Sequence, residues 1–360
     1  MVPTRLLMAV ALLAAAGSGA ADDTAGRAAT FDVRHELKVT VPEGSKSLRL
    51  WMAIPQADPA QSIEGFKVES PYPTRETRDD HGNAALFLEA NDPKAGEFSV
   101  VTTFRIRRSE VRAIVDATKA RPITEKDRAE LAAFLKPSTH VILDERIRDL
   151  AAKIVGTETN PVLATRKIYD WVLENIDYWV KDPANKKASP VGSTDYCLTS
   201  KTGNCTDFHS LTMSLTMQAG IPTRITYGSF FKKELDGKDA DQSYHCWLDV
   251  FAPGIGWIPL DVAVADVFVG DFELNDTNGP KVRLTTADGY TGPDRAKVDY
   301  YFGNLEERRV TWSTGRDLIL EPKQAGGPVN ALAKAYVEID GKVHAEGTGW
   351  KRMLTFKETH

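Results

Sequence analysis

The stretch Gly203-Asn204-Cys205-Thr206-Asp207-Phe208 decides how this chain is read. Before it, residues 183–204 show no hydrophobic period and read as loop. After it, Phe208, Leu211 and Leu215 recur at helical spacing, and the run ends at Gly220 with Pro222 beyond. Apolar residues three and four apart mark one face of a helix, and glycine then proline mark its end. The pattern predicts a helix that begins near Cys205. The position matters because the thiolate, not the thiol, attacks a carbonyl. Unpaired N–H groups and the helix dipole at an N-terminus favour negative charge and lower a cysteine's pKa. The same N–H groups can receive the oxyanion that forms when an acyl group is attacked. Gly203 permits the tight turn into the helix. A cysteine at a helix start is also a common structural residue, so a chemical role requires partners.

Downstream, Thr223–Phe231, Ser243–Phe251 and Trp257–Val262 read as strands. The last two are joined by Ala252-Pro253-Gly254-Ile255-Gly256, a turn-rich hairpin loop. Alternate strand residues share a face, so His245 and Trp247 are expected on one side and Cys246 on the other. A histidine facing the Cys205 helix can take the thiol proton and form a thiolate–imidazolium pair. Asp261 follows His245 by 16 residues, on the return strand. A carboxylate there would orient the imidazole and stabilise its charged form. Each residue alone has a structural explanation. In this order they make a Cys-His-Asp set. His209, one helical turn beyond Cys205, reads as structural, because it sits on the helix itself.

Further out, Thr30–Val39, Ser47–Met52, Ala84–Leu88 and Phe98–Ile106 read as strands, punctuated by Pro, Gly, Asp and Asn. Short strands at this spacing predict a β-sandwich. From about residue 122 the period becomes helical. Thr124 with Asp127 resembles a capping box, with Leu131, Phe134 and Leu135 as the apolar face. A second helix is expected from about Asp144 to Val155, stopping at Gly156. A third starts at Asn160 with Pro161 in its first turn and carries the stripe Ile168, Trp171, Val172 and Ile176. Beyond 300 the strand pattern returns, with Ile339-Asp340-Gly341-Lys342 as a hairpin turn.

At this point the sequence resembles the transglutaminase-like superfamily. The resemblance rests on Gly203-Asn204-Cys205-Thr206-Asp207-Phe208, on Ala219-Gly220-Ile221-Pro222-Thr223-Arg224, on His245-Cys246-Trp247-Leu248-Asp249-Val250 and on Gly256-Trp257-Ile258-Pro259-Leu260-Asp261. The 160–176 helix fits it, as does Tyr301-Phe302-Gly303-Asn304-Leu305 followed by Arg309. The resemblance covers about 160–320. It implies an α+β fold: a papain-like, transglutaminase-like core of helices packed on an antiparallel sheet, preceded by an N-terminal β-sandwich. It implies Cys205 as nucleophile, His245 as general base and acid, and Asp261 as the orienting carboxylate. A side-chain oxyanion donor usually lies shortly before the nucleophile in this family, and Tyr196 is the candidate. The family usually has a small residue such as alanine where Cys246 stands. Cys246 is either a buried free thiol or paired with Cys197, and a Cys197–Cys205 bond would leave the enzyme inactive until reduced.

The expected divisions are a signal peptide at 1–21, a β-sandwich domain at 22–118, the catalytic core at 119–300 and a β-rich extension at 301–360. Arg5, the apolar run Leu6–Ala16 and the small residues Gly17–Ala21 have the pattern of an export signal, cleaved or retained as an anchor. The run is short for a span, which needs about 20 apolar residues. Export to the periplasm or the extracellular space is therefore expected, with no transmembrane segment after cleavage. The odd count of three cysteines, Cys197, Cys205 and Cys246, leaves at least one thiol free unless two chains are joined. The net charge is −5 and no basic cluster stands apart from acids, which argues against nucleic acid as a partner. No His-Glu-x-x-His, paired Cys-x-x-Cys or calcium loop occurs, so neither metal nor cofactor is expected. The expected partner is a protein or peptide substrate, with cell-wall peptides among the candidates. The expected chemistry is amide hydrolysis through a thioester. Transfer to an amine, as in a protein-glutamine transglutaminase, uses the same triad. A non-catalytic exported binding protein retaining the fold is the rival from another class. The poorly periodic stretch 264–300 is the expected source of specificity.

Overall fold

The computed structural model describes residues 26–285 and 290–359; the segment read as a signal peptide lies outside them. Strict alternation builds β1 (Ala28–Val41), where every second residue, Phe31, Val33, Leu37 and Val39 among them, is buried. β2 (Ser47–Ala53), β3 (Gln61–Glu69), β4 (Thr74–Arg78), β5 (Ala84–Asn91), β6 (Gly96–Ser109) and the short β7 (Val111–Arg112) follow. β3 and β4 had no sequence signal. Most of their residues are open to solvent, so no apolar alternation announces them.

The helical starts follow the capping chemistry. α1 (Glu125–Glu130) carries the reciprocal Thr124–Asp127 capping box. Its expected apolar face does not form: the chain tightens into a 3-10 turn at Ala132–Leu135, and Leu131, Phe134 and Leu135 are only partly buried. Pro137 lies just beyond, and the residue before a proline is held out of the helical region. α2 (Glu145–Val155) is capped by Asp144 and ends at Gly156, whose φ is +64°. α3 (Pro161–Asn175) is capped by Asn160. β8 (Asp177–Tyr178), α4 (Thr194–Ser200), β9 (Thr202–Gly203) and α5 (Cys205–Gln218) then run in close succession, with β8 and β9 paired in parallel.

β10 (Thr223–Phe230), β11 (Tyr244–Ala252) and β12 (Gly256–Leu260) follow as expected. α6 (Val262–Val267), α7 (Gly279–Thr285) and α8 (Arg295–Tyr300) fall in the poorly periodic stretch. β13 (Asn304–Leu305), β14 (Arg309–Thr314), β15 (Ala335–Ile339), β16 (Lys342–His344) and β17 (Trp350–Thr359) complete the described chain. The β15–β16 turn is the expected Asp340-Gly341, with φ of +51° and +70°, the pair of positive values a tight two-residue hairpin needs.

Two antiparallel sheets, in the orders β17-β1-β6-β3 and β16-β15-β2-β5-β4, enclose a core that includes Leu37, Val39, Leu48, Leu50, Leu86, Leu88 and Val337. This is the sandwich. The residues read as a C-terminal extension send β17 beside β1 and β15 beside β2. A third antiparallel sheet, β12-β11-β10-β14, forms the core with α5 against it. Cys205 through Met217 are all buried, so α5 is a central helix rather than an amphipathic one. Its polar residues bond back along the helix: Ser210, Thr212 and Thr216 donate to carbonyls four residues earlier at 2.6–2.9 Å. The mixed helix-and-sheet class and the antiparallel core sheet agree with the sequence reading.

Candidate active site

The start of α5 is held from several sides. Asn204 accepts from the N–H groups of Thr206 and Asp207 at 2.9 and 3.1 Å, and the Asp207 carboxylate accepts the Asn204 N–H at 2.9 Å. Asp207 also accepts from Ser189 N, Ser189 Oγ and Ser193 N at 3.0, 2.5 and 2.7 Å, which ties the preceding loop to the helix start. The loop fits closely. A Cβ on Gly203 would meet the Asp207 Cβ at 2.3 Å, and one on Gly192 would meet Thr206 Cγ2 at 2.2 Å. Cys205 is the first helical residue, so its N–H has no intrahelical acceptor. The side chain is 4% exposed.

His245 lies at the start of β11, opposite Gly228 of β10. β12 pairs with β11 only as far as Leu260 opposite Leu248, so on that side the strand edge beside His245 is open. Asp261 does not continue the ladder, as the sequence reading supposed. It caps α6, accepting Val264 N–H at 3.0 Å through Oδ1. That turn brings Oδ2 to 2.7 Å from His245 Nε2. The same imidazole interacts with the Cys205 thiol, each favouring the charged form of the other.

Burial opposes a charge on His245, but Asp261 and then Cys205 outweigh it and lift its pKa to about 9. The Cys205 thiol is held well below its ordinary value, chiefly by a hydrogen bond from Cys246 working against burial, with the charge of His245 adding to it. Burial would raise Asp261, yet His245 and Arg309 hold it far below the usual carboxylate range. These directions describe a thiolate–imidazolium pair backed by an ionised carboxylate.

The sequence reading gave the other groups around the carboxylate no part in the site: Arg309 entered only with the resemblance, and His209 was read as structural. Arg309, on β14, is fully buried and bonded to Asp261 and, at 2.7 Å through Nε, to Glu306. Its guanidinium faces the Phe230 and Trp247 rings with centroids at 4.6 and 5.5 Å. Its only sequence trace was its place after Tyr301–Leu305. His209 also reaches the site: Nδ1 is 3.2 Å from Cys246 Sγ and Nε2 is 3.6 Å from Asp261 Oδ1. Cys246 lies on the α5 side of β11, away from the Trp247 face, as alternation requires. Tyr196 lies on α4, where its N–H is capped by Ser193. Among the described residues, no hydrogen bond links its hydroxyl to Cys205. All three cysteines are free.

Residues 148–262, from α2 through Asp261, match the transglutaminase-like superfamily. The chain therefore contains a transglutaminase-like core. An uncharacterized protein of Haemophilus influenzae is 26% identical over 366 aligned positions, covering 93% of this chain and 94% of its own. Among solved structures, a candidate cysteine protease from Cytophaga hutchinsonii shares the fold with a TM-score of 0.53 at 17% identity, covering 92% of this chain and 98% of that one. The periplasmic domain of TgpA from Pseudomonas aeruginosa, bound to ethylmercury, aligns at 16% identity over 66% of this chain and 90% of its own, with a TM-score of 0.32. Among the described residues, no helix is long and apolar enough to cross a membrane.

Proposed function

We propose that this chain is a cysteine-dependent acyl-transfer enzyme that hydrolyses amide bonds in peptides or proteins. The observation that carries the reading is the 2.7 Å contact of His245 Nε2 with Asp261 Oδ2, with Cys205 at the first position of α5 interacting with the same ring. The Cys205 thiolate attacks the carbonyl carbon. The Cys205 N–H receives the oxyanion. His245 gives its proton to the leaving amine, and a thioester remains. Water, losing a proton to His245, then releases the acid and regenerates the thiol. An amine acceptor would give a new amide instead. Hydrolysis is the preferred reading because water needs no second binding site, and Cys205 is open to solvent only to 4%. The export pattern of residues 1–21 supports an extracytoplasmic substrate, and cell-wall peptides are one class to screen.

The test is a peptide-amide screen with and without a primary amine. Amine release without acceptor incorporation supports hydrolysis. Incorporation of the acceptor establishes transamidation. Cys205→Ser should abolish either activity. If no amide turns over and Cys205 alkylates like an ordinary thiol, the chain is a binding protein that retains the fold.

A further inference from the structure

The site holds a second thiol that acyl transfer does not require. Cys246 is fully buried and has its Sγ 3.2 Å from His209 Nδ1. The Thr206 hydroxyl sits beside both sulfurs, 3.9 Å from Cys205 Sγ and 3.6 Å from Cys246 Sγ. The far side of the His209 ring faces Asp261 Oδ1 at 3.6 Å, while Oδ2 of the same carboxylate faces His245. One carboxylate thus backs two thiol–imidazole pairs, Cys205 with His245 and Cys246 with His209. Burial lowers His209 to about 4, so its ring is neutral near pH 7. Cys246 therefore lies between the His209 ring and the Thr206 hydroxyl that also meets Cys205.

We propose that Cys205 and Cys246 form a reversible disulfide in response to hydroperoxides, with Cys246 protecting the oxidised nucleophile. The inference rests on Cys205 being the reactive thiol of the proposed reaction. The Cys205 thiolate attacks the peroxide O–O bond. With one proton taken up, the sulfur becomes a sulfenic acid and an alcohol, or water, leaves; the sulfur loses two electrons and the peroxide gains them. The Cys246 sulfur attacks the Cys205 sulfur, the S–OH bond breaks, and the hydroxide leaves as water with the proton that Cys246 releases. In sum, two thiols and one hydroperoxide give one disulfide, one alcohol and one water. An external dithiol reverses the step by exchange. Cys246, at 0% exposure, is shielded from the oxidant that meets Cys205 first. Bond formation draws the two sulfurs together past the Thr206 hydroxyl to about 2.05 Å.

The test treats the full chain with a several-fold molar excess of hydrogen peroxide and maps the cysteines by mass spectrometry without reductant. Amide turnover is followed before oxidation, after it, and after dithiothreitol. The expected result is a Cys205–Cys246 cross-link, with activity lost and then restored by the dithiol. Cys246→Ala should instead carry sulfinic Cys205 and recover none of its own starting activity. Sulfinic Cys205 in the unaltered chain at the Cys246→Ala rate, or a Cys205–Cys197 link, overturns the proposal. If the chain turns over no amide, the cysteine map still decides the pairing, and the acyl-transfer reading fails separately.

Discussion

At the residue scale, the site is defined by how Asp261 is surrounded. The carboxylate is fully buried, and it meets His245, Arg309, His209 and the Val264 N–H. A charge buried this deeply persists only if it is paired and hydrogen-bonded. The charge of Asp261 is the largest favourable influence on His245, so Asp261→Asn should lower the His245 pKa from about 9 toward its ordinary 6.5. The sign follows from the shift. A raised pKa keeps the imidazolium present up to about pH 9, so the alkaline limb of kcat/KM should lie near pH 9 and move down in the variant. The rate at neutral pH should fall on the order of 10²–10⁴-fold, because asparagine also offers the ring the wrong partner. A full pH–rate profile checks both. Arg309→Ala should cost about 3–5 kcal/mol in denaturant unfolding, since it leaves Asp261 and Glu306 buried without their cation. Cys205 and His245 could be named from sequence because helix starts and strand starts have local signals. Arg309 and Asp207 could not: each acts through groups brought near by tertiary structure.

At the element scale, what matters is how α5 begins. Its first turn is fixed by the Asn204–Asp207 box and by the Ser189–Ser193 loop bonded to the same carboxylate. Gly203→Ala would push a methyl into the Asp207 Cβ, so the backbone at the nucleophile must shift. We expect a loss of about 1–3 kcal/mol in thermal unfolding, together with a larger loss of kcat than of substrate affinity. Steady-state kinetics beside a melting curve separates the two effects. The capping residues Thr124, Asp144 and Asn160 were readable because a cap is a local chemical event. The length of α1 was not, because Leu131, Phe134 and Leu135 have helical spacing while Pro137 acts from outside the window. The placement of Asp261 was half legible. The hairpin brought it to the correct end of the sheet, but its role as the cap of α6 depends on a turn that strand periodicity does not encode.

At the scale of the whole molecule, the chain closes on itself. β17 lies along β1 from Val39–Trp350 to Thr30–Thr359, and β15 lies along β2, so the last strands complete both sandwich sheets. β14 completes the core sheet and carries Arg309 to Asp261. The sandwich partners, β17 with β1 and β15 with β2, stand some three hundred residues apart. Alternation in sequence identifies each strand but says nothing of which edge receives it, so this closure was not legible. A truncation after residue 330 removes β15, β16 and β17 and leaves β1 and β2 each with one open edge. Such a chain should lose cooperative unfolding and aggregate. A fragment of 119–300 also lacks Arg309, so it should lose the slow-exchanging core amides around β10 and β11. Hydrogen exchange on the purified fragments measures this.

The central claim, that Cys205 and His245 act as a thiolate–imidazolium pair, is tested most directly by iodoacetamide alkylation of Cys205 across pH. The account predicts fast labelling at mildly acidic pH that is lost in His245→Ala. Labelling that rises only near the pH of an ordinary free thiol, and is the same in both proteins, would contradict it.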